Sequence, residues 1–223
     1  MVKLILRIDV LNPEEDIIEE AVKVLQSGGL LVYPTETAYG LGCDAYNVEA
    51  IAKIYKVKSR PQDQPLSVIV ENITMIEEIA VMQDHARKLI EKFYPGPLVI
   101  ALKKRNLIPD ILNKDRIAFR ISSNILVQKI IEVFGKPIVS TSANKSGFKP
   151  PYSIKEVLET ISEDNIDLIL DAGPLVKVKP STLIDFVQQP SPQIIREGMI
   201  PANKIFEVLN IKENLWDRHY KRR

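Results

Sequence analysis

The chain has 223 residues, 45% of them hydrophobic and 26% charged, with a formal net charge of +1. A chain this long buries roughly 70% or more of its unfolded surface and needs no disulfide staple, and its one cysteine, Cys43, has no internal partner and suits a reducing cytosol. The near-zero charge excludes a global field pulling the chain onto nucleic acid or membrane; with no apolar run of membrane-spanning length and no signal peptide in MVKLILRIDV, a soluble cytoplasmic protein is expected.

In chain order, apolar runs predict strands at 3–8, 30–33, 66–70, 98–102, 117–121, 137–140, 168–170, 182–187 and 194–195. Between the first two, Asn12 can cap a helix, Pro13 suits its first turn, and Glu14, Glu15 and Asp16 suit the positive end of its dipole. Ile17, Ile18, Ala21, Val22 and Leu25 then form one apolar stripe, and Gly28-Gly29 ends the helix. Further helices are expected at 48–57, capped by Asn47, and at 84–93, 125–134, 154–161 and 202–209. Alternating strands and helices make this an α/β chain with a twisted sheet, and the later strands lack intervening helices, so the sheet should be mixed. The proline-rich stretches YPGPL, FKPPYS and QQPSPQ punctuate one domain over 1–210, followed by a short basic tail at 211–223.

Several common machines are absent. There is no Walker-type phosphate loop. The only histidines are His85, among charged residues on a surface helix, and His219 in the tail, which fit neither a triad nor a zinc site. GLGCDA at 40–45 matches the dinucleotide fingerprint, but that motif must turn directly from strand to helix. Six residues, 34–39, separate it from its strand, and the next helix starts only near Val48.

Polar residues instead gather at strand ends. Thr35 and Thr37 follow the second strand, Lys58 and Arg60 follow the 48–57 helix, and Arg120 sits near the end of the IAFRI strand. Ser140, Thr141, Ser142 and Asn144 follow PIV, Ser181 and Thr182 open a late strand, and Arg196 ends another. Singly, each has a plain alternative, since hydroxyls satisfy turns and exposed cations solubilise. Together they suit an anion bound at strand termini of an open α/β sheet.

The ordered set PTETAYGLG, KSR with QPLSVIV, YPGPL, PIVSTSAN, STLID and REG resembles the YrdC-like threonylcarbamoyl-AMP synthases from about Leu30 to Gly198, in the short form without a further C-terminal domain. The family's K-x-R and S-x-N signature appears as Lys58-Ser59-Arg60 and Ser142-Ala143-Asn144. The resemblance implies a twisted, mostly mixed sheet with flanking helices enclosing a concave, positively charged cavity. It implies a nucleotidyltransferase that converts L-threonine, bicarbonate and ATP, with Mg²⁺, to threonylcarbamoyl-adenylate and pyrophosphate, the first step of a tRNA modification. By the same resemblance Thr37, Arg120, Ser140 and Ser181 hold threonine. Lys58, Arg60, Gln64, Ser142 and Arg196 hold the nucleotide, with Lys58 and Arg60 catalytic, both expected to face the cavity, and Asn144 supporting the nucleotide loop. A downstream threonylcarbamoyl transferase is the expected partner, tRNA is a candidate further one, and no membrane is involved.

The chemistry suits the composition, because the attacking carbamate oxygen belongs to the substrate and no protein nucleophile is needed. The protein must supply alignment and charge neutralisation. The main alternative is a double-stranded RNA or tRNA-binding module whose cavity recognises only phosphate, served by basic groups at 53–60, 103–105 and 221–223. No aromatics are interleaved with those groups, as stacking on single strands would want. A hydrogenase-maturation domain related to carbamoyl transfer is disfavoured by the lack of zinc-type cysteine pairs.

Overall fold

The computed structural model describes residues 4–187 and 192–211. Its first half contains β1 (Leu4–Arg7), α1 (Glu15–Gln26), β2 (Leu31–Pro34), β3 (Tyr39–Asp44), α2 (Val48–Val57), β4 (Ser67–Ile69), α3 (Ile73–Ile79) and α4 (Asp84–Phe93). Then come β5 (Leu98–Lys103), β6 (Arg116–Arg120), α5 (Ile125–Phe134), β7 (Ile138–Ser142), α6 (Ile154–Leu158), β8 (Leu168–Asp171), β9 (Thr182–Asp185), β10 (Gln193–Arg196) and α7 (Ala202–Leu209). The tail expected at 211–223 lies outside the described residues from 212 onward, as does His219. Among the described residues no helix is long and apolar enough to cross a membrane.

All these strands join one ten-stranded sheet in the order β1-β8-β2-β3-β7-β4-β6-β5-β9-β10. It is mixed, as expected: β1/β8, β2/β8, β4/β6 and β5/β9 run parallel, while β2/β3, β3/β7, β4/β7, β5/β6 and β9/β10 run antiparallel.

Two elements are added to the sequence expectation, and two helices depart from it at an end. β3 occupies a stretch where the sequence predicts no strand. Its Tyr39, Leu41 and Cys43 point into one core, while Gly40 and Gly42 lie beneath the ring of Tyr33 on β2. A Cβ at Gly42 would sit 2.6 Å from the carbonyl oxygen of Val139 and 2.9 Å from the Tyr33 ring, so the packing itself requires glycine there. The dinucleotide-like fingerprint is thus the inside of a strand and makes no phosphate-binding turn. The second addition is α3, capped by Asn72, whose side chain accepts from the Met75 amide at 2.9 Å. In α1 the capping position falls to Glu14 rather than Asn12, with no side-chain cap bond. The helix expected at 154–161 ends at Leu158.

Strand alternation divides the core in two. On one face Leu30, Val32, Tyr39, Leu41, Val68, Ile117, Phe119, Val139 and Ile184 pack with α2, α3, α4 and α7. On the other, Leu31, Tyr33, Ile69, Ile138, Leu168 and Leu170 pack under α1 and α5. Those two helices cover only part of the second face. Beyond them the outward positions are Ser140, Ser67, Ala118, Arg120, Val99 and Leu183, and a hollow remains.

Candidate functional site

The hollow is a cavity of about 310 Å³, within the size range of small-molecule sites. Its floor follows from register. Ser140 on β7 pairs with Ser67 on β4, which pairs with Ala118 on β6, so one row across three strands carries only small side chains. Ser67 Oγ donates to the Ser140 carbonyl at 2.8 Å, and Tyr33 Oη donates to Ser140 Oγ at 2.9 Å, fixing both serines from below. Burial pushes the Tyr33 phenol up to about 12, so it remains a neutral donor.

One wall is the hairpin loop at 35–38 that joins β2 to β3. Thr35 Oγ1 donates to the Ala38 carbonyl at 2.7 Å and receives the amides of Thr37 and Ala38, each at 3.2 Å. The Thr37 hydroxyl lies 3.1 Å from the Thr35 hydroxyl, on the cavity. Thr35 therefore stiffens the loop that presents Thr37. The opposite wall is a clasp between the start of β9 and the residues after β10. Thr182 Oγ1 accepts the amides of Gly198 and Ile200 and donates to the Ile200 carbonyl, while Arg196 Nε donates to the Ser181 carbonyl at 3.1 Å. A side chain at Gly198 would strike the Pro180 carbonyl oxygen at 1.9 Å, so only glycine lets the clasp shut.

The expected cationic pair at 58 and 60 divides. Helix α2 ends with the Ser59 amide on the Lys56 carbonyl and the Arg60 amide on the Tyr55 carbonyl, the paired bonds of a Schellman motif, with Ser59 left-handed at φ 48°. That reversal sends its two neighbours to different places. Arg60 reaches the cavity wall, where its Nε and Nη2 each donate at 3.0 Å, to the carbonyls of Gln64 and Pro65. Lys58 turns inward and is 1% exposed, contrary to the expectation that it faces the cavity. Its Nζ donates to the carbonyls of Ser142 (2.5 Å) and Asn144 (2.6 Å), and the Ser146 amide returns a bond to the Lys58 carbonyl. Burial, then the nearby Arg60 charge, lowers the Lys58 amine to about 7.

The S-x-N loop is thus fastened from below by Lys58 and from within by Asn144. The Asn144 amide nitrogen donates to the carbonyls of Lys145 and Phe148, at 2.8 and 2.9 Å, while its side-chain oxygen is buried without a hydrogen-bond partner. Ser142 lines the cavity; Asn144 does not. Gln64 is exposed and off the wall, contributing its backbone carbonyl to Arg60 and to the Tyr55 hydroxyl.

Arg120, at the end of β6, is 7% exposed and lines the cavity. Burial depresses its guanidinium to about 10, Arg196 adding to the effect against the opposing pull of Tyr33; the group stays charged at neutral pH. Its Nη1 pairs with Glu36 Oε1. Glu36 was not singled out from the sequence; it sits between the two threonines of PTETAYG and carries no signal of its own.

In sum, Thr37, Arg60, Arg120, Ser140, Ser142, Ser181 and Arg196 converge on one cavity from separate parts of the chain, and Lys58, Gln64 and Asn144 lie outside its lining. Sequence reasoning also passed over Pro150, Tyr152, Val178 and Pro180, which close its apolar side. FKPPYS was read as punctuation, yet the Tyr152 hydroxyl donates to the Val178 carbonyl at 3.2 Å and ties the two rim loops together. Three guanidiniums and no carboxylate line the wall among the described residues. No group of three His, Cys, Asp or Glu side chains among them could hold a metal ion. The buried Cys43 thiol, pushed up by burial, and the exposed His85 lie outside the lining.

Comparison with known proteins matches residues 23–198 to the Sua5/YciO/YrdC family model, described as telomere recombination. A Methanocaldococcus jannaschii protein provisionally named threonylcarbamoyl-AMP synthase is 37% identical over 90% of this chain and 96% of its own length. The crystal structure of Pyrococcus abyssi Sua5 complexed with L-threonine superposes with a TM-score of 0.86 at 32% identity, over 92% of this chain and 61% of that one. The chain therefore spans about three-fifths of the Pyrococcus protein. Escherichia coli YciO, a protein of uncharacterised function, superposes with a TM-score of 0.81 at 28% identity, over 92% of this chain and 100% of its own.

Proposed function

The chain belongs to the Sua5/YciO/YrdC family, and from that premise we propose that it is a threonylcarbamoyl-AMP synthase, a nucleotidyltransferase acting on L-threonine, bicarbonate and ATP. The observation that carries the proposal is the convergence of Thr37, Arg60, Arg120, Ser140, Ser142, Ser181 and Arg196 on one cavity with no carboxylate on its lining. A relative with the same fold holds L-threonine.

In this reading Arg120 receives the threonine carboxylate. With Nη1 on Glu36, its Nε and Nη2 have no protein partner among the described residues, and that edge is free to fork onto a carboxylate. Thr37, Ser140 and Ser181 supply neutral donors and acceptors for the amine and hydroxyl. The amine adds to bicarbonate with loss of water, and a carbamate oxygen attacks the α-phosphorus of ATP, expelling pyrophosphate. Arg60, Arg196 and Ser142 lie against the triphosphate and stabilise charge developing on its oxygens. Mg²⁺ arriving with ATP would neutralise charge on the phosphates, while Arg60 and Arg196 supply the protein's own positive charge there. Lys58 and Asn144 hold the loop that carries Ser142, so both act through position. The compartment is the cytoplasm, where ATP and a reduced Cys43 coexist. The product is consumed by a separate threonylcarbamoyl transferase, with tRNA as the final acceptor.

The test is pyrophosphate release with each of threonine, bicarbonate and ATP omitted in turn. Release that needs all three supports the reading; release independent of threonine overturns it. An RNA-binding module would show no such release, only RNA affinity that falls steeply with salt.

A further inference from the structure

Three guanidiniums share one small cavity, and a carboxylate is built against one of them. Glu36 sits at the tip of the β2–β3 hairpin loop with its side chain 14% exposed. Oε1 contacts Arg120 Nη1, and Oε2 accepts from the Ser122 hydroxyl at 2.6 Å. Ser122 is itself held: its Oγ accepts the Asn124 amide, and its carbonyl accepts Gln128 Nε2 at 2.9 Å. A chain of contacts therefore runs from α5 through Ser122 and Glu36 to Arg120. Arg60 and Arg196, by contrast, donate to backbone carbonyls and have no carboxylate partner among the described residues.

A carboxylate inside an anion site lowers anion affinity unless it does something else. Glu36 does not line the cavity, so it takes no place from a ligand. It engages the one end of the Arg120 guanidinium that leaves the Nε–Nη2 edge open. We propose that Glu36 is a positioning residue for the amino-acid end of the site: it aims the forking edge of Arg120 into the cavity and cancels its charge toward the other two arginines. Arg120 is thereby specialised for a small carboxylate, while Arg60 and Arg196 keep their full charge for polyphosphate. This inference rests on the proposed synthase reading.

The test measures L-threonine and inorganic pyrophosphate binding separately by calorimetry, together with KM and kcat, in Glu36→Gln and Ser122→Ala. Glu36→Gln preserves shape and the Ser122 contact but removes the charge; threonine affinity should fall about tenfold, as for loss of a charge-assisted alignment. Pyrophosphate affinity should stay level or rise, because the wall has gained net positive charge. Ser122→Ala, which leaves the charge and loosens the carboxylate, should weaken threonine binding by less and leave pyrophosphate unchanged. The loss should appear in the KM for threonine and not in the KM for ATP. Equal losses for both ligands, or unaltered threonine binding in Glu36→Gln, would overturn the assignment. A wild-type protein that binds no threonine would overturn the synthase reading along with it, which separates the two failures.

Discussion

The second face of the sheet contains both a core and a site, and the border between them runs through single strands. On β7, Ile138 is buried beneath α1 and α5, while Ser140, two residues on and on the same face, lies on the cavity floor. On β4 the same step separates Ile69 from Ser67. Backbone and pairing of the strand are common to both halves. What differs is side-chain volume and polarity at alternate positions. Branched residues meet the α1–α5 layer, whereas serines and an alanine make a floor too low for any helix to fill. The covered half supplies stability; the open half leaves donors and charge unspent on the protein.

The largest effects should divide along that border. Ile131, 1% exposed on α5, belongs to the covered half, so Ile131→Ala should cost about 2–5 kcal/mol of stability in denaturant titration. Its KM values should be unchanged at temperatures where it is folded. Ala118→Phe in the open half should do the reverse, abolishing threonine binding while shifting Tm little, because the ring enters space already empty. A large stability loss in Ala118→Phe would mean that the cavity is part of the core.

Next in size is Arg60, the member of the 58/60 pair that reaches the wall. Arg60→Ala should lower adenylate formation by at least ~10²-fold with an unchanged far-ultraviolet circular dichroism spectrum, since oriented charge contacts in a transition state are worth several kcal/mol. Wild-type turnover in this variant would remove Arg60 from the mechanism.

Lys58 should respond differently from its neighbour, because it faces protein. Lys58→Met strands the carbonyls of Ser142 and Asn144, a cost of about 1–3 kcal/mol, and activity falls through displacement of the loop. A pH signature identifies the buried amine. Folding lowers it from 10.5 to about 7, so between those values the unfolded chain holds a proton that the folded chain has released. Stability therefore rises with pH across that window and loses this gain as pH falls back through 7. A neutral amine still has two N–H donors, enough for both carbonyls. The cleanest range is pH 7–9, because above its ordinary 9.0 the buried Cys43 thiol opposes the trend by ionising only in the unfolded chain. Denaturation midpoints should climb over that range in the wild type and lose the climb in Lys58→Met. A wild-type profile flat from pH 7 to 9 would contradict the lowered amine.

Most of the fold was legible in the sequence, and the failures have physical causes. The Ile17–Leu25 stripe and the apolar strand runs are period signals, and they carried the α/β mixed sheet. β3 was missed because two glycines weaken the apolar run at 39–44, and their strand role depends on Tyr33, a partner outside the local window. The missed α3 is only seven residues long. At the site, Arg120, Ser140 and Ser181 were legible as polar residues at strand ends. The burial of Lys58 was not, since it is decided by two carbonyls more than eighty residues away in sequence. Glu36 was equally silent, an acid distinguished by Arg120 and Ser122, partners far from it in sequence.

The smallest expected effect concerns Ser59, where the divergence of Lys58 and Arg60 begins. Its left-handed φ of 48° is where a Cβ crowds the following carbonyl, and helices usually place glycine at this position. Ser59→Gly removes that crowding but gives the unfolded chain more freedom to lose. Relief should win, with a net gain of about 0.5–1 kcal/mol, because the Schellman bonds already fix the backbone whichever residue occupies it. Ser59→Val should err in the opposite sense, since a β-branched side chain tolerates this region least. The two variants test whether the junction acts through geometry. If the turn alone directs Lys58 inward and Arg60 outward, Ser59→Gly should keep wild-type kcat with a higher denaturation midpoint, and Ser59→Val should lose both stability and turnover. A glycine variant that is stable but slow would show instead that the serine side chain contributes to the reaction, and the open half of the face would then extend one residue further along the chain than the cavity wall does.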